Sequence, residues 1–437
     1  MKFRHSKNNK NLKTIKKSHK ISMRTARYDV PFFYSEKTEL VIVLQHLQLF
    51  TILRRTFMQI KTKIIPLVVA MAFISTTNAA DLQIVKIGHV APVSGAISHL
   101  GKDNENGAKM AIEELNAKGI MIGGKKIKFE LLAEDDAADP KQGTAAAQKL
   151  VDAKVKGVIG HLNSGTTIPA SKIYSEAGIP QISPSATNPK YTMQGFATAF
   201  RVVAHDGQLG GTLGRYATQT LKGKNVAVVD DQTAYGQGVA QEFAKSVKAS
   251  GGKIVSQQYT NDKATDFKAI LTSIKSKNPD IVFFGGMDAV AGPMLLQMKQ
   301  LGINAKFMGG DGICTEALPK LAGDGLADGQ VICAEAGGVT EKDKKGLDNF
   351  RAAYKKKFNA DVKLYAPYVY DSINVMIAAM QKANSVEPAK YLPVLHKINY
   401  KGVTGKIEFD PRGDIKNGTL TLYTYKGGKR ELLSVTK

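Results

Sequence analysis

The sequence predicts an α/β protein built as two separate units, each a mostly parallel sheet covered by helices on both faces. Three observations predict it. From Asp81 onward, short apolar runs of strand length alternate with helical periodicities. The alternation lapses and restarts near Gly210. The chain, at 437 residues, is long enough for two or three cores.

In the first series, residues 84–90 form a compact apolar strand, followed by a loop with Pro92, Ser94 and Gly95. Ala108, Ala111, Ile112 and Leu115 recur at helical spacing, and Gly119 closes that helix. Strands are expected at 127–132, 155–160 and 179–183, with helices at 145–151 and 167–177 between them. The second series gives strands at 226–229, 254–259, 281–284 and 307–309. Its helices fall at 238–250, 267–276 and 290–301, with further helices at 344–357, 368–383 and 388–396. Residues 420–425 alternate like an edge strand, and Gly427-Gly428 makes a turn.

The formal net charge of +23 points first to nucleic acid or an anionic surface. Its distribution argues otherwise. Residues 1–57 hold 13 basic and 3 acidic residues, and 81–437 hold 46 basic against 35 acidic. Lys355-Lys356-Lys357 lacks the neighbouring aromatic residues that single-strand binding uses.

Met58 opens a segment with Lys61 and Lys63, an apolar run at 64–74, and small residues ending in Ala79-Ala80. This is the pattern of an export signal over 58–80, cleaved after Ala79 or Ala80, with no cysteine behind it to carry a lipid. Residues 1–57 fit no such signal, and translation is expected to begin at Met58; an extended leader or a membrane-associated arm is the other reading. Cys314 and Cys333 are the only cysteines. Export permits a disulfide between them, and a pair alone makes a poor zinc site.

Two such units side by side leave a crevice at the carboxyl ends of their strands, where this architecture binds ligands. The loops facing it are His161 to Thr167 and Ser183-Pro184-Ser185-Ala186-Thr187 in the first unit. The second contributes Asp230 to Gly236, Gly285 to Asp288 and Gly309 to Gly312. Hydroxyls and N–H groups at a helix start suit a carboxylate. Asp311 on the opposing unit suits an ammonium group. The chemistry is that of a zwitterion bridging two walls. Each residue also has a plainer role: Ser164 and Thr167 as helix caps, Asp311 as a turn residue, Tyr235 as packing.

Enzyme signatures are missing: no His-Glu-x-x-His, G-x-S-x-G, Walker A or dinucleotide G-x-G-x-x-G. His161 is expected to be structural, and Asp135, Asp136 and Asp139 to form a solvated loop and a helix cap. No cofactor and no metal are expected.

At these loops the chain resembles the periplasmic leucine/isoleucine/valine-binding proteins of ABC importers. The resemblance runs from about residue 84 to 422. It is carried by Glu134-Asp135-Asp136 through Asp139-Pro140-Lys141-Gln142, Val158-Ile159-Gly160-His161-Leu162, Pro184 to Pro189, Tyr235-Gly236 and Phe307-Met308-Gly309. It implies a type I periplasmic binding protein: two Rossmann-like lobes hinged by three crossovers, lobe 1 at 81–204 and 336–411, lobe 2 at 205–335 and 412–437. It further implies that Ser164 and Thr187 bind a ligand carboxylate, helped by Ser185 and the backbone of Ala186. Asp311 would hold the ammonium, where the family has a glutamate, and Tyr235 would cover the ligand. Leu100 and Met287 stand where the family has aromatic pocket residues, which leaves the specificity for branched chains open. Ala137 and Asn163 replace the family's disulfide pair.

The expected function is capture of a branched-chain or other small neutral L-amino acid by a periplasmic monomer that delivers it to an inner-membrane ABC permease. A ligand-sensing receptor for an amide, urea-like or aromatic acid is the alternative. An extracellular hydrolase is disfavoured for want of a nucleophile and base, and nucleic-acid binding because its charge lies largely in the leader.

Overall fold

The computed structural model describes residues 81–436. The extension 1–57, the expected export signal at 58–80 and its expected cleavage points therefore lie outside the described residues.

The first half opens with β1 (Leu82–Ala91), α1 (Ser98–Lys118), β2 (Met121–Ile122), β3 (Lys125–Asp135) and α2 (Pro140–Asp152). It continues through β4 (Val158–Gly160), α3 (Ser164–Glu176), β5 (Gln181–Ser183), α4 (Lys190–Met193) and β6 (Ala199–Arg201). These strands form one sheet in the order β2-β3-β1-β4-β5-β6, parallel except for the short β2–β3 hairpin. Local chemistry sets the boundaries. Gly119 ends α1 in the left-handed conformation, at φ 65°. Asp139 caps α2 by accepting from the N–H groups of Lys141 and Gln142, with Pro140 just inside.

The second half comprises α5 (Asp206–Arg215), β7 (Asn225–Asp230), α6 (Ala234–Ala249), β8 (Lys253–Tyr259), α7 (Lys268–Lys275) and β9 (Ile281–Gly285). It adds α8 (Asp288–Gln300), β10 (Lys306–Gly309), α9 (Leu318–Ala322) and β11 (Val331–Glu335). The chain then returns to the first half as α10 (Lys344–Phe358), α11 (Ala366–Lys382) and α12 (Pro388–Leu395), with a hairpin of β12 (Tyr400–Gly402) and β13 (Gly405–Ile407). It ends on the second sheet as β14 (Leu420–Lys426) and β15 (Lys429–Thr436), giving the order β15-β14-β11-β10-β9-β7-β8. The expectation that 420–425 forms an edge strand is thus corrected. Gly427 and Gly428, both at positive φ, turn the chain into β15, which takes the edge and leaves β14 between two antiparallel neighbours.

The inner strands β7, β9 and β11 read as nearly continuous apolar runs because both faces are covered. In β9, Phe283 packs on one side of the sheet with Phe243 and Val228, and Phe284 on the other with Phe307 and Met294. Helix α11 is apolar nearly all round and buried along its length, between α1 and the first sheet.

Three chain crossings join the halves, and they are bonded to one another. Ala204 N–H donates to Ala336 C=O at 3.0 Å, and Arg201 N–H to Gly413 C=O at 2.9 Å. Gly413 sits at φ 90°, with a Cβ there falling 2.0 Å from Ala199 O, so only glycine permits this approach. The Arg201 side chain is fully buried. It pairs with Asp414 at 2.6 Å and donates to the carbonyls of Ala186 and Asn188. One guanidinium therefore fixes the loop after β5 to the crossings.

Candidate functional site

The loops after β4 and β5 of the first half face those after β7, β9 and β10 of the second. Between them Leu162, Asn163, Ser164, Ser185, Tyr235, Met287, Asp311 and Tyr365 enclose a cavity of about 10 Å³, the size of a single water. It adjoins a wider cleft of about 500 Å³, with which it shares Asn163, Tyr235 and Met287. The cleft walls add apolar Ile97, Pro140 and Ala289, and polar Asp231 and Lys263. A volume of this order is typical of small-molecule sites.

The acidic wall is tightly built. Asp311 is 1% exposed, and each carboxylate oxygen accepts one tyrosine hydroxyl: Oδ1 from Tyr235 and Oδ2 from Tyr365, both at 2.8 Å. Gly312 N–H donates in turn to the Tyr235 hydroxyl at 2.9 Å. Burial pushes Asp311 up to about 6, against the opposing pull of the two tyrosine donors. The disulfide between Cys314 and Cys333, with Cα atoms 5.3 Å apart, ties the turn that carries Asp311 to β11.

The opposite wall is polar and neutral. Helix α3 begins at Ser164, whose hydroxyl accepts from Asn188 N–H at 3.2 Å. Ser185 Oγ donates to Leu162 C=O at 2.9 Å, and Ala186 N–H donates to Ser183 Oγ at 2.9 Å. Thr187 Oγ1 is buried without a hydrogen-bond partner. Beside it lies Asp206, completely buried with neither oxygen bonded; burial pushes it up to about 8, the Thr187 hydroxyl working against the shift and nearby Asp311 adding to it.

Of the residues expected at the site, Ser164, Ser185, Tyr235, Met287 and Asp311 border one cavity. Ala186 and Thr187 lie buried in the same loop as Ser185. Leu100 is placed differently: it is fully buried in the core, because the turn that opens α1 directs Ile97 to the cleft and His99 to Asp288 instead. His161 is enclosed, its Nδ1 3.1 Å from Asp136 and its Nε2 3.0 Å from the Tyr174 hydroxyl. Asp136 is consequently completely buried, which corrects the expectation of a solvated acidic loop, whereas Asp139 is the expected cap. Among the described residues no group of three or more His, Cys, Asp or Glu is positioned to hold a metal ion.

Tyr365 is the residue that sequence reasoning missed. Buried Asp103 on α1 accepts the N–H groups of Lys363, Leu364, Tyr365 and Ala366 at 2.9–3.1 Å, and this fixes the start of α11 so that Tyr365 reaches Asp311. The available signal was the Tyr-Ala-Pro sequence opening an apolar helix, with proline in the first turn.

The family described as periplasmic binding protein matches residues 84–429. The chain is a periplasmic binding protein. Among relatives of this binding protein, the Leu/Ile/Val-binding protein homolog 1 of Brucella abortus is 35% identical over 361 residues, covering 82% of this chain and 95% of the relative. The leucine-, isoleucine-, valine-, threonine- and alanine-binding protein of Pseudomonas aeruginosa is 34% identical over 354 residues, covering 81% and 92%. Among solved structures, the branched-chain amino acid transporter substrate-binding protein of Streptococcus pneumoniae in complex with isoleucine matches with a TM-score of 0.72 and 28% identity, over 81% of this chain and 99% of that one. A leucine-binding protein of Thermotoga maritima matches with a TM-score of 0.73 and 25% identity, over 80% and 98%. The architecture is that of a type I periplasmic binding protein, and membership of this family makes the chain a solute-binding transport protein and not an enzyme.

Proposed function

We propose that this binding protein captures a branched-chain or other small neutral L-amino acid in the periplasm and delivers it, as a monomer, to an inner-membrane ABC permease. The observation that carries the reading is Asp311, a buried carboxylate held by two tyrosine hydroxyls and facing Ser164 at the start of α3 and Ser185 in the loop after β5. An ammonium group on one wall and a carboxylate on the other match a zwitterion, and a bound zwitterion bridges the halves. Ser164, Ser185, Thr187 and the Ala186 backbone would receive the carboxylate, and Tyr235 and Met287 would cover the ligand. The names of the Brucella and Pseudomonas relatives support the ligand class. Lobe 1 is assigned to 81–204 and 336–411 and lobe 2 to 205–335 and 412–437, a division supported by the two sheets. Export with cleavage near Ala79 or Ala80 accords with periplasmic function.

The wide cleft next to Met287 favours a second reading, in which the same site takes a bulkier amide, urea-like or aromatic acid ligand and serves a receptor. Calorimetric titration of ligand-stripped, refolded 81–437 with a panel of L-amino acids tests both. Micromolar or tighter binding of leucine, isoleucine or valine supports the first. Binding of another zwitterion moves only the specificity. No heat from a folded sample with any amino acid rejects amino-acid capture.

A further inference from the structure

The first turn of α1 and the first turn of α8 belong to opposite halves, and a direct side-chain contact crosses between them. His99 Nε2 lies 2.7 Å from Asp288 Oδ2, and the same oxygen accepts the Thr315 hydroxyl at 2.6 Å. Asp288 is completely buried, and its other oxygen, Oδ1, has no partner. Within its own half, Asp288 receives one neutral hydroxyl and the positive end of the α8 dipole. Its remaining partner is the imidazole from the other half, which is only 24% exposed. Parting the halves would strip a desolvated carboxylate of that partner.

We propose that His99 and Asp288 form a latch across the cleft, which stabilises the closed arrangement without touching the solute and so sets how slowly the solute leaves. The latch rests on the reading that the lobes close around a solute. It differs from the Asp311 wall, where the tyrosines and the acid border the cavity itself. His99 belongs to neither the cavity nor the cleft wall, whereas its neighbours Ile97 on one side and Met287 and Ala289 on the other do. The latch therefore joins the two turns that carry the cleft walls, and its geometry is set by closure alone. His99 is a positioning residue in this account. Its effect belongs on dissociation and not on encounter, because the contact forms only after the walls have met.

The test uses the protein as isolated from the periplasm and stripped of bound solute, with His99→Ala and His99→Gln. His99 is partly exposed, so its replacement spares the core. Small-angle scattering of the ligand-free proteins reads the open fraction, and stopped-flow with L-leucine reads the rates. The expected result is a larger radius of gyration for ligand-free His99→Ala and about tenfold faster leucine release at an unchanged association rate, the size of one charged hydrogen bond. His99→Gln, which keeps a donor, should recover much of both. Unchanged scattering overturns the latch, as does a loss of affinity carried by association. Should leucine bind none of the three proteins, the proposed ligand class fails, and the ligand-free scattering decides the latch alone.

Discussion

Replacing Asp311 by Asn separates the role of its charge from the role of its shape. The side chain is 1% exposed and each oxygen accepts one tyrosine hydroxyl at 2.8 Å, so the isosteric amide stays in place while the charge disappears. Removing one partner of a buried, hydrogen-bonded charge pair costs about 2–5 kcal/mol. At 1.4 kcal/mol per decade this weakens binding roughly 30-fold to several-thousand-fold. Folding should respond in the opposite sense. Burial already penalises the ionised acid, raising it to about 6, above its ordinary carboxylate value. The folded state therefore holds the proton more tightly than the unfolded chain, and stability is lost as pH rises through about 6. Asparagine removes that loss, so the ligand-free variant should melt no lower than wild type at pH 7.5. Affinity for the best amino acid of the panel should tighten in wild type as pH rises through about 6, where Asp311 ionises, and stay flat in the variant. Calorimetry at pH 5, 6, 7 and 8 with melting of both apo proteins checks each part. Binding by Asp311→Asn within threefold of wild type, or a loss of affinity matched by a loss of Tm, would refute the reasoning.

Asp206→Asn should flatten the dependence of Tm on pH. Wild-type Asp206, pushed up to about 8, binds a proton in the folded state where the unfolded chain does not, so stability falls from about pH 4 to 8, and a thermal melt series across that range compares the two slopes. Gly312→Ala should weaken amino-acid binding, since the new Cβ would lie 2.5 Å from Gly286 O, 2.7 Å from Met287 Sδ and 2.8 Å from Tyr235 Cε1; an apo structure should show Tyr235 displaced from Asp311. Reducing the Cys314–Cys333 bridge, or replacing both cysteines by serine, removes a loop constraint worth about 3 kcal/mol, and calorimetric melting should fall by several degrees.

The strands after Asp81 were legible because a sheet covered on both faces must be written as unbroken apolar runs, as in Ile281–Gly285. Not every strand was: β11 and β15 were passed over, and so were several of the shortest pieces. β6 is three residues long, and β2, β12 and β13 are no longer, so none carries a period to read. Ser164, Ser185, Tyr235 and Asp311 were legible as polar residues at strand ends, where this architecture places its ligands. Leu100, named from the resemblance alone, lies in the core and off the cavity wall, a direction that spacing does not encode. Asp136 was misread because its partner, His161, comes from another strand end. Tyr365 was hidden for a similar reason: its partner is 54 residues away in sequence, and the carboxylate that positions it, Asp103, lies on α1.

That last arrangement has a temporal meaning. Asp311 and the hydroxyls of Ser164 and Ser185 emerge early as the chain is made, yet one oxygen of Asp311 waits for Tyr365, and Tyr365 waits for the start of α11 to close on Asp103. A chain that ends between Asp311 and Tyr365 carries the acid and the serines but lacks the complete segment that seats Tyr365. If solute binds at Asp311 as proposed, its acidic wall is complete only once the chain has been made as far as Ala366.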